Sequence, residues 1–139
     1  MRERFSFDYS IVRVVPRVER GEFLNAGIIL FCSTQAKLTA RVELDGSRLL
    51  ALAPSCDRAL IENHLAVIPT VCAGGEAAGA IGALSQRERF HWLVAPRSTV
   101  IQMSPVHAGV DHDLDAALEK LFDKLVRFSA TPAVQRSTE

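Results

Sequence analysis

The chain has 139 residues, 48% apolar and 23% charged, which suits one globular domain and excludes a disordered or low-complexity chain. Sixteen basic and sixteen acidic side chains cancel to zero, so a phosphate-neutralising nucleic-acid binder is disfavoured, and only a local basic patch keeps that class open. No apolar run reaches the ~20 residues of a membrane span, and the three cysteines, Cys32, Cys56 and Cys72, show no disulfide or zinc spacing, so a reducing cytoplasmic location is expected.

Phe5 to Val15 alternates as a strand does, with Phe5, Phe7, Tyr9 and Ile11 on one face and Ser6, Asp8 and Ser10 on the other. Arg13 interrupts the apolar face, and Pro16 ends the strand because it has no N–H for a ladder. A loop to Gly21 carries Arg17, Glu19 and Arg20. Phe23 to Cys32 is apolar on both faces except at Asn25, the pattern of a central strand covered on both sides. Gly27 inside it marks a close approach or a bulge. Leu38 to Leu44 alternates again as a half-buried third strand, and Asp45-Gly46 reads as a turn. The three strands form an antiparallel meander.

Asp57 is the expected N-cap of a helix carrying Leu60, Ile61, His64, Leu65 and Ile68 at helical spacing and stopping near Pro69. His64 falls on its apolar face, as a core residue would. Cys72 to Gly82, rich in Gly and Ala, reads as a loop with at most a short helical turn. Phe90–Val94 and Thr99–Met103 read as two short strands, and Pro105–Asp113 as a loop. The last helix is the clearest element. Leu114, Ala117, Leu118, Leu121, Phe122, Leu125 and Phe128 form one stripe, with acidic residues at its start and basic ones at its end. The expected fold is α+β: an antiparallel sheet of about five strands with two main helices on one face, in a single domain over residues 1–128. Residues 129–139 read as a disordered polar tail.

Two stretches hold most of the polar signals, Tyr9–Phe31 and Phe90–Gly109. YSIVRVVPRVERGEFLNAGIILF resembles the opening of a bacterial family of domains of unknown function, DUF3037, and RFHWLVAPRSTVIQMSPVHAGV with DLDAALEKLFDKLV resembles its C-terminal half. The likeness covers roughly residues 5 to 128 and is least between Leu49 and Ser85. It implies no particular activity. It does imply a possible protein partner, because members of that family tend to be encoded beside kinases resembling the HipA toxin kinase.

The candidate polar, anion-binding cluster is Arg13, Arg20, Glu22, Asn25, Arg97, Ser98, Gln102 and His107. Arg forks bind planar carboxylates and phosphates bidentately, and a His acts as acid or base near neutral pH. For Arg13, Glu22 and Asp8 are the nearest counter-charges in sequence. Asn25 on a buried strand must satisfy both its donors and its carbonyl, for which a bulge at Gly27 is the nearest means. No serine lies in a nucleophile elbow and no phosphate-cradling glycine loop occurs. His107 and His112 beside Asp111 and Asp113 form a weak metal pattern that doubles as a helix start, so no metal and no cofactor is expected. Polar groups converge but no complete catalytic set is present. The leading expectation is therefore a regulatory or protein-interaction module, with a HipA-like kinase as one partner. An enzyme or binder acting on a phosphorylated or carboxylated small molecule is the alternative, and nucleic-acid binding ranks third.

Overall fold

The N-terminal alternation folds as strand β1 (Phe5–Val14), and the loop opened by Pro16 returns the chain antiparallel as β2 (Leu24–Cys32). The computed structural model describes residues 3–127, so Phe128 and the expected disordered tail lie outside the described residues. Strand β3 (Lys37–Val42) completes the meander on the far side of β2. The other edge of β1 is shared by two short strands. β4 (Ile101–Met103) pairs with Val12–Val14, and β5 (His107–Asp111) with Phe5–Tyr9. All five strands are antiparallel, and the domain is α+β.

Between β4 and β5 the ladder is carried across a break by buried serines. The Ser104 N–H donates to the Ile11 carbonyl at 2.9 Å, and the Ser104 hydroxyl accepts the Ile11 N–H at 2.8 Å. The Ser10 hydroxyl donates to the Ser104 carbonyl at 2.8 Å. Hydroxyls thus satisfy main-chain groups that a regular strand would have paired.

β2 is buried along almost its whole length, and the reason is a layer of helix on each side. Val12, Val14, Ile29 and Phe31 pack towards α1 (Gly46–Leu52), α2 (Arg58–Ala73) and α3 (Gln86–Val94). Phe7, Ile28, Leu30 and Cys32 pack towards α4 (Leu114–Leu125). The expectation of helices on one face is corrected to three layers, which β2's two-sided apolar sequence requires. The pairing register slips between Val12 and Arg13, giving β2 one extra residue at Ala26. At Gly27 a Cβ would lie 2.7 Å from the Arg41 carbonyl, so only glycine lets β3 approach.

Several elements differ from expectation for local reasons. Phe90–Val94 is the second half of α3, not a strand. Ser85 and Glu88 form a reciprocal capping box that starts a helix there, and Phe90 and Leu93, three apart, are both buried. α1 occupies what read as a turn, because the Asp45 carboxylate accepts the Arg48 N–H as an N-cap. The Pro105–Asp113 loop contains β5. The glycine-rich stretch forms a 3-10 segment, Glu76–Ala83, interrupted at Gly79, where φ is 65°.

α2 continues past Pro69 to Ala73. Burial of Val71 and Cys72 favours the extra turn, and a buried arginine completes it. Arg89, 8% exposed, donates from Nε to the Val71 carbonyl at 2.9 Å, from Nη2 to that of Cys72 at 3.3 Å, and from Nη1 to that of Leu84. Among the described residues no carboxylate neutralises it. Carbonyls at the negative end of α2 hold the charge instead. Gly74, with φ at 74°, leaves room for the guanidinium, which a Cβ would meet at 3.0 Å.

Candidate functional site

Strand pairing brings the two polar stretches together. Arg13 lies opposite Asn25 on one side and Gln102 on the other, so Asn25, Arg13 and Gln102 form one row across β2, β1 and β4. Arg13 follows Phe7, Tyr9 and Ile11 on the α4 face by strand parity. Its guanidinium sits over the Phe23 ring, 4.3 Å from the centroid, and buried Nε has no hydrogen-bond partner among the described residues. Neither Glu22 nor Asp8 reaches it: Glu22 is held by Arg20, and Asp8 points to the opposite face. Asn25 does not bond across the bulge. Its Nδ2 donates to the Leu125 carbonyl at 2.9 Å, capping α4, while buried Oδ1 has no partner among the described residues. Gln102 Nε2 donates to the Thr99 carbonyl at 3.0 Å.

The other candidates stand elsewhere. Arg20 and Glu22 form an exposed bidentate pair at 2.7 and 3.0 Å. The Arg20 side chain holds the Glu22 carboxyl below its ordinary range. Arg97 lies on the opposite sheet face from Arg13, donating to the Trp92 and Leu93 carbonyls at the end of α3 and stacking 4.6 Å from the Trp92 ring centroid. Ser98 is exposed in the turn that follows. His107 is exposed at the start of β5, 5.3 Å from the Tyr9 ring and four residues along β1 from Arg13's row. Arg13, Arg97 and His107 therefore do not line one concavity.

An apolar concave surface lies on the α2–α3 layer. A cleft of about 430 Å³ runs between His64 and Ile68 on α2, Trp92 and Arg97 at the end of α3, and Ile101 and Met103 on β4. A second, of about 330 Å³, lies between α2 and the 3-10 segment. Val67 and Trp92 line both, so the two form one groove along α2. Among the described residues no carboxylate lines either cleft. Leu60, Val67 and Trp92 are 50%, 48% and 38% exposed. His64, expected in the core, is exposed here. The signal for this surface was in the sequence: from Ala59 to Ala73 the only charged residue is Glu62. A helix whose outer face lacks charge is not finished for water.

A polar cleft of about 460 Å³ separates Arg17 and Arg20 from Ser55 and Cys56. Cys56 is half-buried, whereas Cys72 is buried and its thiol is pushed up to about 12 by burial, which the nearby Arg89 charge opposes only weakly. Cys72 is thus an inert hydrophobe. Among the described residues no three His, Cys, Asp or Glu side chains gather as a metal site, and no single helix is long and apolar enough to cross a membrane.

No curated protein and no solved structure matches the chain. A family model described as a protein of unknown function, DUF3037, matches residues 9–126, a span that takes in both polar stretches, the serine break between β4 and β5, and all of α4. The chain belongs to the DUF3037 family.

Proposed function

We propose that this domain is a protein-docking module, and that its docking surface is the α2–α3 groove. One observation carries the reading: a continuous groove lined by exposed Val67 and Trp92 and, among the described residues, by no carboxylate. Such a groove fits an amphipathic helix laid along α2 with its apolar face on Val67 and Trp92. Arg97 and His64 at one end add donors, so the helix that fits is acidic there. Trp and Arg are the side chains that most often anchor an interface. The family resemblance makes a HipA-like kinase the first partner to test. The reading places the domain in the cytoplasm, in keeping with its free thiols.

The test compares retained proteins. Tagged wild-type chain and Val67→Asp are passed through extract of the source cells, and stoichiometric proteins are identified by mass spectrometry. The expected partner is retained by the wild type and lost by Val67→Asp, and an acidic amphipathic segment of it alone binds the wild-type domain. A partner held equally by both chains overturns the groove as its site.

The alternative, binding of an anionic small molecule, is favoured by one feature, the polar cleft between Arg17 and Ser55. Arg20 there is already neutralised by Glu22, which weakens its pull on a ligand. Calorimetric titration with inorganic phosphate tests it, and heat abolished by Arg17→Ala would establish it.

A further inference from the structure

β5 is paired on one side only. Among the described residues its outer edge meets no strand. Neither helix layer shields it, since α4 packs chiefly on β2 and β3 and α2 on β3. The segment His107–Asp111 also has no lysine, no proline and no bulge within it, three of the usual protections of an edge.

Which groups the edge presents follows from β1. The N–H and C=O of Ile11 both turn towards Ser104, and the Val15 N–H donates to the Val100 carbonyl. Odd-numbered residues of β1 thus direct their polar backbone groups to this side. Tyr9, Phe7 and Phe5 face His107, Gly109 and Asp111, which turn theirs back towards β1. Ala108 and Val110 then turn their N–H and C=O outward, and Val110 is 57% exposed.

We propose that β5 pairs antiparallel with β5 of a second copy about a two-fold axis at Gly109, joining two sheets into one. The segment HAGVD is complementary to itself in that register. Ala108 and Val110 exchange backbone hydrogen bonds with Val110 and Ala108 of the other copy. Gly109 meets Gly109 at a non-hydrogen-bonded pair, where Cα atoms approach to about 4.5 Å and small residues fit best. On the α4 face His107 lies opposite Asp111 of the other copy, a polar pair with a carboxylate acceptor on each side of the axis. On the other face Ala108 meets Val110. Asp111 already accepts the Asp113 N–H and faces Lys120 at 3.4 Å, which fixes its carboxylate in place. The symmetry is closed, so the product is a dimer and not a filament.

Sedimentation of the full chain tests this, at concentrations up to about 100 μM because so short a pairing makes a weak interface. The expected species is twice 15.2 kDa. Val110→Pro removes a donor that the monomer leaves pointing outward and a proline ring at an edge tolerates. It is expected to give a folded monomer, with circular dichroism unchanged. His107→Asp places like charges opposite each other twice and weakens the dimer about tenfold, whereas His107→Lys does not weaken it. A wild-type monomer throughout, or a dimer that survives Val110→Pro in a folded protein, overturns the proposal. So does equal weakening by His107→Asp and His107→Lys, which would mean pairing in another register or with another partner. The groove on α2 is untouched by these variants, so its docking role stands or falls separately.

Discussion

The helix layers on the two faces of the sheet are finished differently. α4 carries five charged residues in twelve, Asp115, Glu119, Lys120, Asp123 and Lys124, whereas the sixteen residues of α2 carry two, Arg58 and Glu62. Around α4 the charges also reach the sheet and the loop that follows β3: Lys37 pairs with Asp115 at 2.8 Å, Arg41 with Glu119, and Arg127 with Glu43 at 3.1 Å. Exposed pairs of this kind contribute about 0–1 kcal/mol each, so the contrast is not mainly one of stability. It is a contrast of destination. α4 is built to face water, and α2 leaves apolar side chains where a water-facing helix has charges.

The ends of the two helices differ as well, and here the largest effect is expected. α2 ends on two carbonyls, Val71 and Cys72, held by the buried charge of Arg89, which also takes the Leu84 carbonyl, and α4 ends on the neutral amide of Asn25 and one carbonyl, with Arg48 reaching the Val126 carbonyl at 3.3 Å. Arg89→Ala removes the whole cap and leaves buried carbonyls unpaired, a loss of about 3 kcal/mol, read as a melting temperature lower by roughly 10 °C. It also frays the last turn of α2 and so abolishes groove binding. A fall of under about 3 °C would show that the carbonyls find other donors.

The next effect separates the outer faces. Val67→Asp on α2 is expected to weaken partner binding about thirtyfold, the loss typical of a central anchor, with stability changed by no more than about 0.5 kcal/mol. Lys124→Asp, which places an aspartate on α4 instead, leaves binding as it was. Equal losses from both variants would erase the distinction between the layers.

Asn25→Leu should have a smaller effect still. It gives up one hydrogen bond to Leu125 but also removes an unpartnered buried carbonyl, so the two nearly offset and stability changes by about 1 kcal/mol or less. A stable Asn25→Leu that loses a binding activity would instead make the row of Arg13, Asn25 and Gln102 a functional site.

Much of this architecture was legible because it is local. The alternation of β1, the two-sided burial of β2 and the stripe of α4 are each written in consecutive residues, and each formed as read, the α4 stripe as far as Leu125. Gly27 marked both a bulge and a close approach, since a strand glycine has few other uses. What failed was long-range. Arg89 is silent in the sequence because its three acceptors lie 5, 17 and 18 residues away and are main-chain carbonyls, which no residue type marks. Pro69 read as a stop because the burial of Val71 and Cys72 beyond it depends on the sheet below. The apolar run Phe90–Val94 taken alone has a strand's pattern, and the Ser85–Glu88 box in front of it is what makes it helical. The two polar stretches suggest one shared surface, but their residue types do not say which side chains share a face. The pairing register kept Asn25, Arg13 and Gln102 in one row, and the turn of α3 carried Arg97 to the other face.

That same capping box supplies the smallest expected effect and a test of how the α2–α3 layer is pinned. The Glu88 carboxylate accepts the Ser85 N–H at 3.0 Å, and with the Ser85 hydroxyl this holds its carboxyl below the ordinary range. Because the folded value is the lower one, the stabilisation is complete above the unfolded value and is lost as pH falls through the folded value. Asp111, beside α4, is lowered too, first by the Asp113 N–H and then by Lys120, so both layers should lose stability on acidification. Glu88→Gln keeps the reciprocal hydrogen bonds but cannot titrate. Urea midpoints of wild type and Glu88→Gln should therefore differ slightly at about pH 7 and converge towards about pH 3, leaving the remaining slope to Asp111 and its like. A gap that stays constant over that range would mean the glutamine weakens the box by geometry alone, and that the charge on Glu88 contributes nothing to holding α3 against the sheet.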